Sequence, residues 1–284
     1  MSDTNDARTE SGLDAQTQRK IVRERYARIA TENSGGKGSC CLNDDSRCSS
    51  AETAASADET ARQLGYSEAE LESVGEDANL GLGCGNPRAI ASLSAGESVL
   101  DLGSGAGFDC FLAAREVGET GRVIGVDMTP EMVEKARANA GQNDAENVEF
   151  RLGEIEHLPV ADEAIDVIIS NCVVNLSPDK PQVFDEAFRV LRPGGRLAIS
   201  DVVLTAAVPH ELRADPDSVV SCVAGASTID RLEAMLTDAG FEAVDISPKD
   251  DSEAFIRDWD DEYDVSEFLV SASITARKPE AVDE

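Results

Sequence analysis

The chain has 284 residues, 41% of them hydrophobic, enough for one full α/β domain with extra segments. Its 56 acidic residues against 25 basic ones give a formal charge of −31, a field that repels nucleic acid and anionic membrane surfaces and argues against both as partners. No run approaches the roughly 18 apolar residues of a membrane span and the polar start MSDTNDARTE is no signal peptide, so a cytoplasmic protein is expected.

The acids are spread through every region instead of forming one block. Dispersed acidity of this kind fits the high-salt cytoplasm of a halophile, because molar salt screens charges beyond about 3 Å. Seven cysteines, an odd number without a secretion signal, argue for free thiols in a reducing compartment and against a disulfide framework. Cys40, Cys41, Cys48, Cys84, Cys110, Cys172 and Cys222 contain no C-x2-C pair, so a structural zinc site is poorly supported.

In chain order, residues 1–15 are polar and read as disordered. TQRKIVRERYARIA carries Ile21, Val22, Tyr26 and Ile29 near helical spacing and predicts a helix. TENSGGKGSCCLNDDSRCSS breaks all periodicity and reads as a mobile loop with three cysteines. Residues 58–75 read as helical, and GLGCGNPRAI as a Gly-rich turn entering another helix. From residue 97 strands and helices alternate: ESVLDLG, then the helix FDCFLAAREV; RVIGVDM, then TPEMVEKARANA with Thr129 as N-cap and Pro130 at the first helical position. NVEFRLGEI is a third strand, AIDVIIS a fourth, SPDKPQVFDEAFRVL a helix stopped by RPGG, and GRLAISDVVL a fifth strand. Residues 206–240 depart from the pattern with a Pro-containing insertion and the helix TIDRLEAMLTDAG, and EFLVSASITARKP closes as an alternating strand.

Such repeats imply an α/β, Rossmann-like fold, a mostly parallel twisted sheet with helices on both faces. The expected division is 1–78 as tail, helical arm and cysteine-bearing loop, 79–205 as the cofactor-binding core, and 206–284 as a substrate-capping segment.

DLGSGAG (residues 101–107) joins the first strand to its helix. Glycines there let a ligand approach the backbone, and the helix start offers free N–H groups. The spacing G-x-G-x-G of Gly103, Gly105 and Gly107, around Ser104 and directly after Asp101, suits a cationic or amino-bearing ligand better than a pyrophosphate. Asp127, with Met128 beside it, closes the second strand where an acid grips ribose hydroxyls, and Glu154-Ile155 is placed to flank an adenine. This arrangement resembles the class I S-adenosylmethionine-dependent methyltransferases, which implies that fold and cofactor; Asn171, at the exit of strand four, joins the implied cofactor set.

The acceptor is a separate question. His157 and His210, the only histidines, both read as surface residues, so no general base is visible. Cys172 follows strand four at the edge where ligands of open α/β sheets bind, Cys222 lies in the insertion after strand five, and Cys84 sits in the Gly-rich turn before strand one. Cys40 and Cys41 lie on the loop, Cys48 is undecided, and Cys110 reads as core beside Phe111 and Leu112. Thiols converging on one edge would bind a soft, thiophilic acceptor.

The runs RERYARIA, GLGCGNP, DLGSGAGFDCFLAA, GVDMTPEMVEKA, FRLGEIEHLPV, SNCVVNLSPDK, CVAGA and SASITARKP, in order from about residue 19 to the end, resemble the arsenite methyltransferases. The resemblance implies that Cys84, Cys172 and Cys222 bind As(III) as substrate and that Cys40 or Cys41 matches the family's N-terminal cysteine. It implies arsenite or a thiol conjugate as acceptor, S-adenosylmethionine as methyl donor, and a thiol reductant such as glutathione or thioredoxin. A monomer is favoured. Because thiolate is the ligating form and free cysteine titrates near about 8.5, metalloid capture is expected to release protons and weaken at low pH. A carbon- or oxygen-directed methyltransferase and a non-enzymatic metalloid sensor on the same fold are the alternatives.

Overall fold

A computed structural model describes residues 12–32, 56–209, 218–219, 222–249, 252–259 and 263–281. The cysteine-bearing loop with Cys40, Cys41 and Cys48, the polar tail before residue 12, and His210 lie outside the described residues.

The helices are α1 (Ala15–Glu32), α2 (Ala57–Gln63), α3 (Glu68–Ser73), α4 (Arg88–Ala91), α5 (Phe108–Val117), α6 (Pro130–Gln142), α7 (Lys180–Val190), α8 (Ile229–Asp238) and α9 (Glu253–Ile256). The strands are β1 (Ser98–Leu102), β2 (Arg122–Asp127), β3 (Val148–Leu152), β4 (Ile165–Asn171), β5 (Leu191–Leu204), β6 (Ser227–Thr228), β7 (Glu242–Pro248) and β8 (Leu269–Arg277). They form one sheet in the order β3-β2-β1-β4-β5-β8-β7, with β6 paired to the end of β5. The first five members are parallel, and β8 runs antiparallel between β5 and β7. β1 pairs with β2 on one side and β4 on the other, so the chain order reverses there and opens a crevice at the carboxyl ends of the strands.

Period-two side chains explain why the sheet is covered on both faces. Leu100, Leu102, Ile124, Val126, Ile168 and Ile199 feed one apolar cluster, while Val99, Val123, Val167, Ile169 and Ala198 feed the other. A third cluster gathers Val22, Cys84, Cys172, Val202, Val219, Cys222 and Phe268 at the strand ends, drawing on segments from both ends of the chain.

The structure departs from the sequence reading in several places, among them β5, which starts at Leu191 and runs through RPGG. Residues 58–75 form two helices, because Gly65 takes φ +96° and Ser67 with Glu70 makes a capping box that starts α3 afresh. The third strand stops at Leu152, so Glu154 and Ile155 lie in the following loop. β7 has no counterpart in that reading: it is an edge strand with mostly exposed side chains, and only Val244 and Ile246 pack against the core. Among the described residues, no helix is long and apolar enough to cross a membrane.

Candidate active site

A cavity of about 660 Å³ opens at the carboxyl ends of β1, β2 and β4. The side expected to hold the cofactor is the turn after β1. Gly103 takes φ +69° and its N–H donates to Val126 O at 2.7 Å. A Cβ there would lie 2.5 Å from both γ-carbons of Val173, so only glycine lets the turn close against the segment after β4. Gly105 N–H donates to Asp127 Oδ2 at 3.0 Å and Thr129 N–H to Oδ1 at 2.8 Å, which fixes the Asp127 carboxylate at the cavity wall. Ser104, Met128 and Ile155 also stand in that wall.

Two of the expected cofactor residues do not. Gly107 begins α5 with φ +95°, and a Cβ there would meet Phe150 and Phe111; it serves close packing. Glu154 faces α1, pairing with Arg19 at 3.4 Å, and Glu156 takes the place in the wall beside Ile155. The strand ended sooner than the apolar pattern implied, so the side chains turn to other partners.

Asp101 and Asp109 are both buried and both line the cavity. Asp101 Oδ2 accepts from Cys110 Sγ at 3.2 Å, and Asp109 Oδ1 accepts from Tyr66 Oη at 2.7 Å. Burial first, then mutual repulsion, pushes Asp101 well above the usual carboxylate range, and burial raises Asp109 and Asp127 too. A ligand carrying positive charge relieves all three, which fits an amino-bearing sulfonium cofactor. Cys110, fully buried in α5, is core as expected.

The side expected to hold the acceptor is built from cysteines brought together by three segments. Cys172 leaves β4 with φ +56°, and its N–H donates to Ser200 O at 2.8 Å. Cys222 has φ +65° and its Sγ donates to Cys172 O at 3.2 Å. The left-handed conformation costs a non-glycine residue about 1–2 kcal/mol, so packing holds both thiols in place against a local preference. Cys84 is fully buried behind Cys172, and its thiol hydrogen-bonds that of Cys172. Hydrogen bonds with the Cys222 and Cys84 thiols, then burial, push the Cys172 thiol well up; burial raises Cys84.

Asn171 clamps the Cys84 turn. Its Oδ1 accepts from Cys84 N–H at 3.0 Å, and its Nδ2 donates to Gly85 O at 2.7 Å and to Tyr66 Oη at 3.2 Å. Tyr66 also reaches Asp109, so one hydrogen-bonded chain joins the cofactor wall to the deepest cysteine. α1 closes the mouth with Arg19, Val22, Tyr26 and Ile29 on one helical face. Trp259, the chain's single tryptophan, also lines the cavity.

A family model described as "Methyltransferase domain" matches residues 93–240. An arsenite methyltransferase of Halobacterium salinarum is 61% identical over 272 residues, covering 94% of this chain and 68% of that protein. The chain belongs to the arsenite methyltransferase family. The human arsenite methyltransferase is 41% identical over 152 residues, 50% of this chain and 40% of the human one. Among solved structures, an arsenic(III) S-adenosylmethionine methyltransferase from Chlamydomonas reinhardtii superposes with a TM-score of 0.56 at 34% identity, covering 78% of this chain and 73% of that one.

Of the cysteines that resemble the family's set, the fold brings Cys84, Cys172 and Cys222 into contact, while Cys40 and Cys41 lie outside the described residues. Sequence reading missed Tyr66, Asp109, Glu156, Trp259 and, most consequentially, Asp201. Asp201 is buried in β5, with a carboxylate oxygen within 4.8 Å of the Cys84 and Cys172 sulfurs, and burial pushes it up to about 6. Its signal was an acid inside the apolar run LAISDVVL, where an unpaired charge is costly.

Proposed function

We propose that this chain methylates trivalent arsenic held by Cys84, Cys172 and Cys222, with S-adenosylmethionine as methyl donor. The observation that carries this reading is the meeting of three buried thiols, two of which, Cys172 and Cys222, line a cavity that buried carboxylates also line. The donor fits those carboxylates: the Gly103 turn admits no side chain, burial raises Asp101 and Asp127 with no cation acting against it, and Arg88 offsets the burial of Asp109 only in part. Asp101 and Asp109 would hold the amino group and Asp127 the ribose, with Ile155 and Met128 against the base. S-adenosylmethionine supplies an electrophilic methyl group on a sulfonium.

Three sulfur ligands leave arsenic a lone pair, so the acceptor is itself the nucleophile and needs no base. His157 is exposed and remote from that role. The cysteines orient the arsenic, and α1 with the third apolar cluster excludes water from the site. Methylation raises arsenic from the trivalent to the pentavalent state, and a thiol such as glutathione or thioredoxin would return the two electrons. Cys40 or Cys41 would hand arsenic to the buried set. The acidic composition and the Halobacterium relative support work in a high-salt cytoplasm.

On this reading the proton balance differs from the sequence-based expectation. Cys84 and Cys172 are held above the ordinary thiol range and are neutral near pH 7. Arsenous acid is neutral there as well, so each S–H exchanges with an As–OH to give an As–S bond and water, and no proton is released. Arsenite affinity, read from Trp259 fluorescence, is therefore flat between about pH 6 and 8. A slope of one proton per pH unit would show that a thiolate is the resting form.

The reading is tested by incubating purified protein in high salt with arsenite, S-adenosylmethionine and a thiol reductant, then separating arsenic species by mass. Methylated arsenic is expected. Its absence while S-adenosylmethionine binds would turn the search to carbon and oxygen acceptors or to a sensor.

A further inference from the structure

Asp201 is a buried carboxylate used neither by the cofactor wall nor by thiol ligation. Its Oδ1 accepts from Val202 N–H and from Asn175 Nδ2, each at 2.8 Å, and its Oδ2 accepts from Asn175 N–H at 3.3 Å. Asn175 is itself tied down, its Nδ2 also donating to Val202 O at 2.7 Å. All three bonds to the carboxylate are accepted ones, the pattern that suits its ionised form. The nearby Lys180 ammonium, which donates to Gly225 O at 2.6 Å, also favours the charged form of the carboxylate. The fold therefore fixes a negative charge within 4.8 Å of two of the sulfurs assigned to arsenic.

The chemistry supplies a reason. Arsenic bound to three cysteine sulfurs is neutral. In the transfer its lone pair becomes the As–C bond, and the pair of the breaking S–C bond stays on the donor sulfur, which leaves as a neutral thioether. The positive charge that began on sulfur ends on arsenic. A carboxylate oriented in advance beside the arsenic is stronger in effect as that charge arrives than in the ground state, which is the condition for lowering the barrier.

We propose that Asp201 is the charge-stabilising residue of methyl transfer, its carboxylate set against the arsenic atom held by Cys84, Cys172 and Cys222. The assignment rests on reading those cysteines as the arsenic ligands. It implies a discrimination by charge that a purely structural residue would not show. Asp201 also anchors the turn after Cys172 through Asn175, and loss of that anchor would weaken every ligand of the thiols alike.

The experiment compares wild type with Asp201→Asn as full-length protein in high salt, using two probes of the same thiols. Arsenite, a neutral ligand, is followed by Trp259 fluorescence; Cd²⁺, a thiophilic dication, is followed by its sulfur-to-metal charge-transfer absorbance. Arsenite affinity is expected to stay within about twofold and Cd²⁺ affinity to fall about tenfold or more, since a buried charge pair is poorly screened. Single-turnover methyl transfer is expected to fall about 10²-fold, the loss typical of one preoriented electrostatic group. Asn puts an N–H₂ against the donors around Asp201, so Asp201→Ser, which carries no such clash, is measured beside it with the same expectations. Equal losses for arsenite and Cd²⁺ in both variants, or an unchanged transfer rate, overturn the proposal. Wild-type protein that binds Cd²⁺ but not arsenite overturns the ligand assignment itself, and the proposal with it.

Discussion

Cys172→Ser is expected to abolish arsenic methylation and to leave S-adenosylmethionine affinity within about twofold of wild type. Cys172 is the middle thiol, hydrogen-bonded to those of both Cys222 and Cys84, and it stands in the cavity wall where the acceptor meets the cofactor side. A serine hydroxyl is a hard donor and a poor ligand for trivalent arsenic. It leaves at most two sulfurs in the set, so the arsenic is neither held nor pointed. The backbone tolerates the change, because serine meets the same φ of +56° at no greater cost than cysteine. Calorimetry with S-adenosylmethionine and the arsenic speciation assay separate the two effects. Near-normal methylation by this variant would sink the assignment. Cys110→Ser is the matched control: its hydroxyl can still donate to Asp101, and methylation should survive.

Gly103→Ala is expected to lower S-adenosylmethionine affinity at least tenfold and destabilise the fold by about 3 kcal/mol. Two costs combine: left-handed φ for a residue with a Cβ, about 1–2 kcal/mol, and overpacking against Val173, about 1–3 kcal/mol. Val173 must move, and it is the neighbour of Cys172, so the variant disturbs the acceptor side as well. Gly105→Ala separates the terms. Gly105 has φ +51° but open space where a Cβ would stand, so only the conformational cost applies. Thermal unfolding and calorimetry on both variants measure the difference; equal effects would mean that the contact with Val173 can relax.

Most of the proposed cofactor wall was legible because it is local. Asp101 through Gly105 lie in one short turn between β1 and α5, and the order of hydrophobic strands placed Asp127 at the end of β2. Where the reading slipped, the cause was a strand boundary or a packing contact. Leu152 ends β3 earlier than the run NVEFRLGEI implied, which turns Glu154 toward Arg19, and Gly107 faces two phenylalanines that lie 4 and 43 residues further along. The edge strand β7 left no trace because a strand with one neighbour and a wet face shows little apolar alternation.

By itself the sequence determined the parallel α/β core, the glycine turn and the candidate thiols, because these follow from residue type and short-range periodicity. The charge of −31 likewise follows from composition alone. Only the tertiary structure decided which thiols touch. Cys84, Cys172 and Cys222 are separated by 88 and then 50 residues, and their contact depends on β1, β4 and β5 lying side by side with β8 closing the sheet. The same closure buries Asp201 beside them, a placement that no local pattern encodes, since its partners Asn175 and Cys84 come from distant turns. Local preference even opposes the site at Cys172 and Cys222, whose left-handed backbones are held by packing from the rest of the fold.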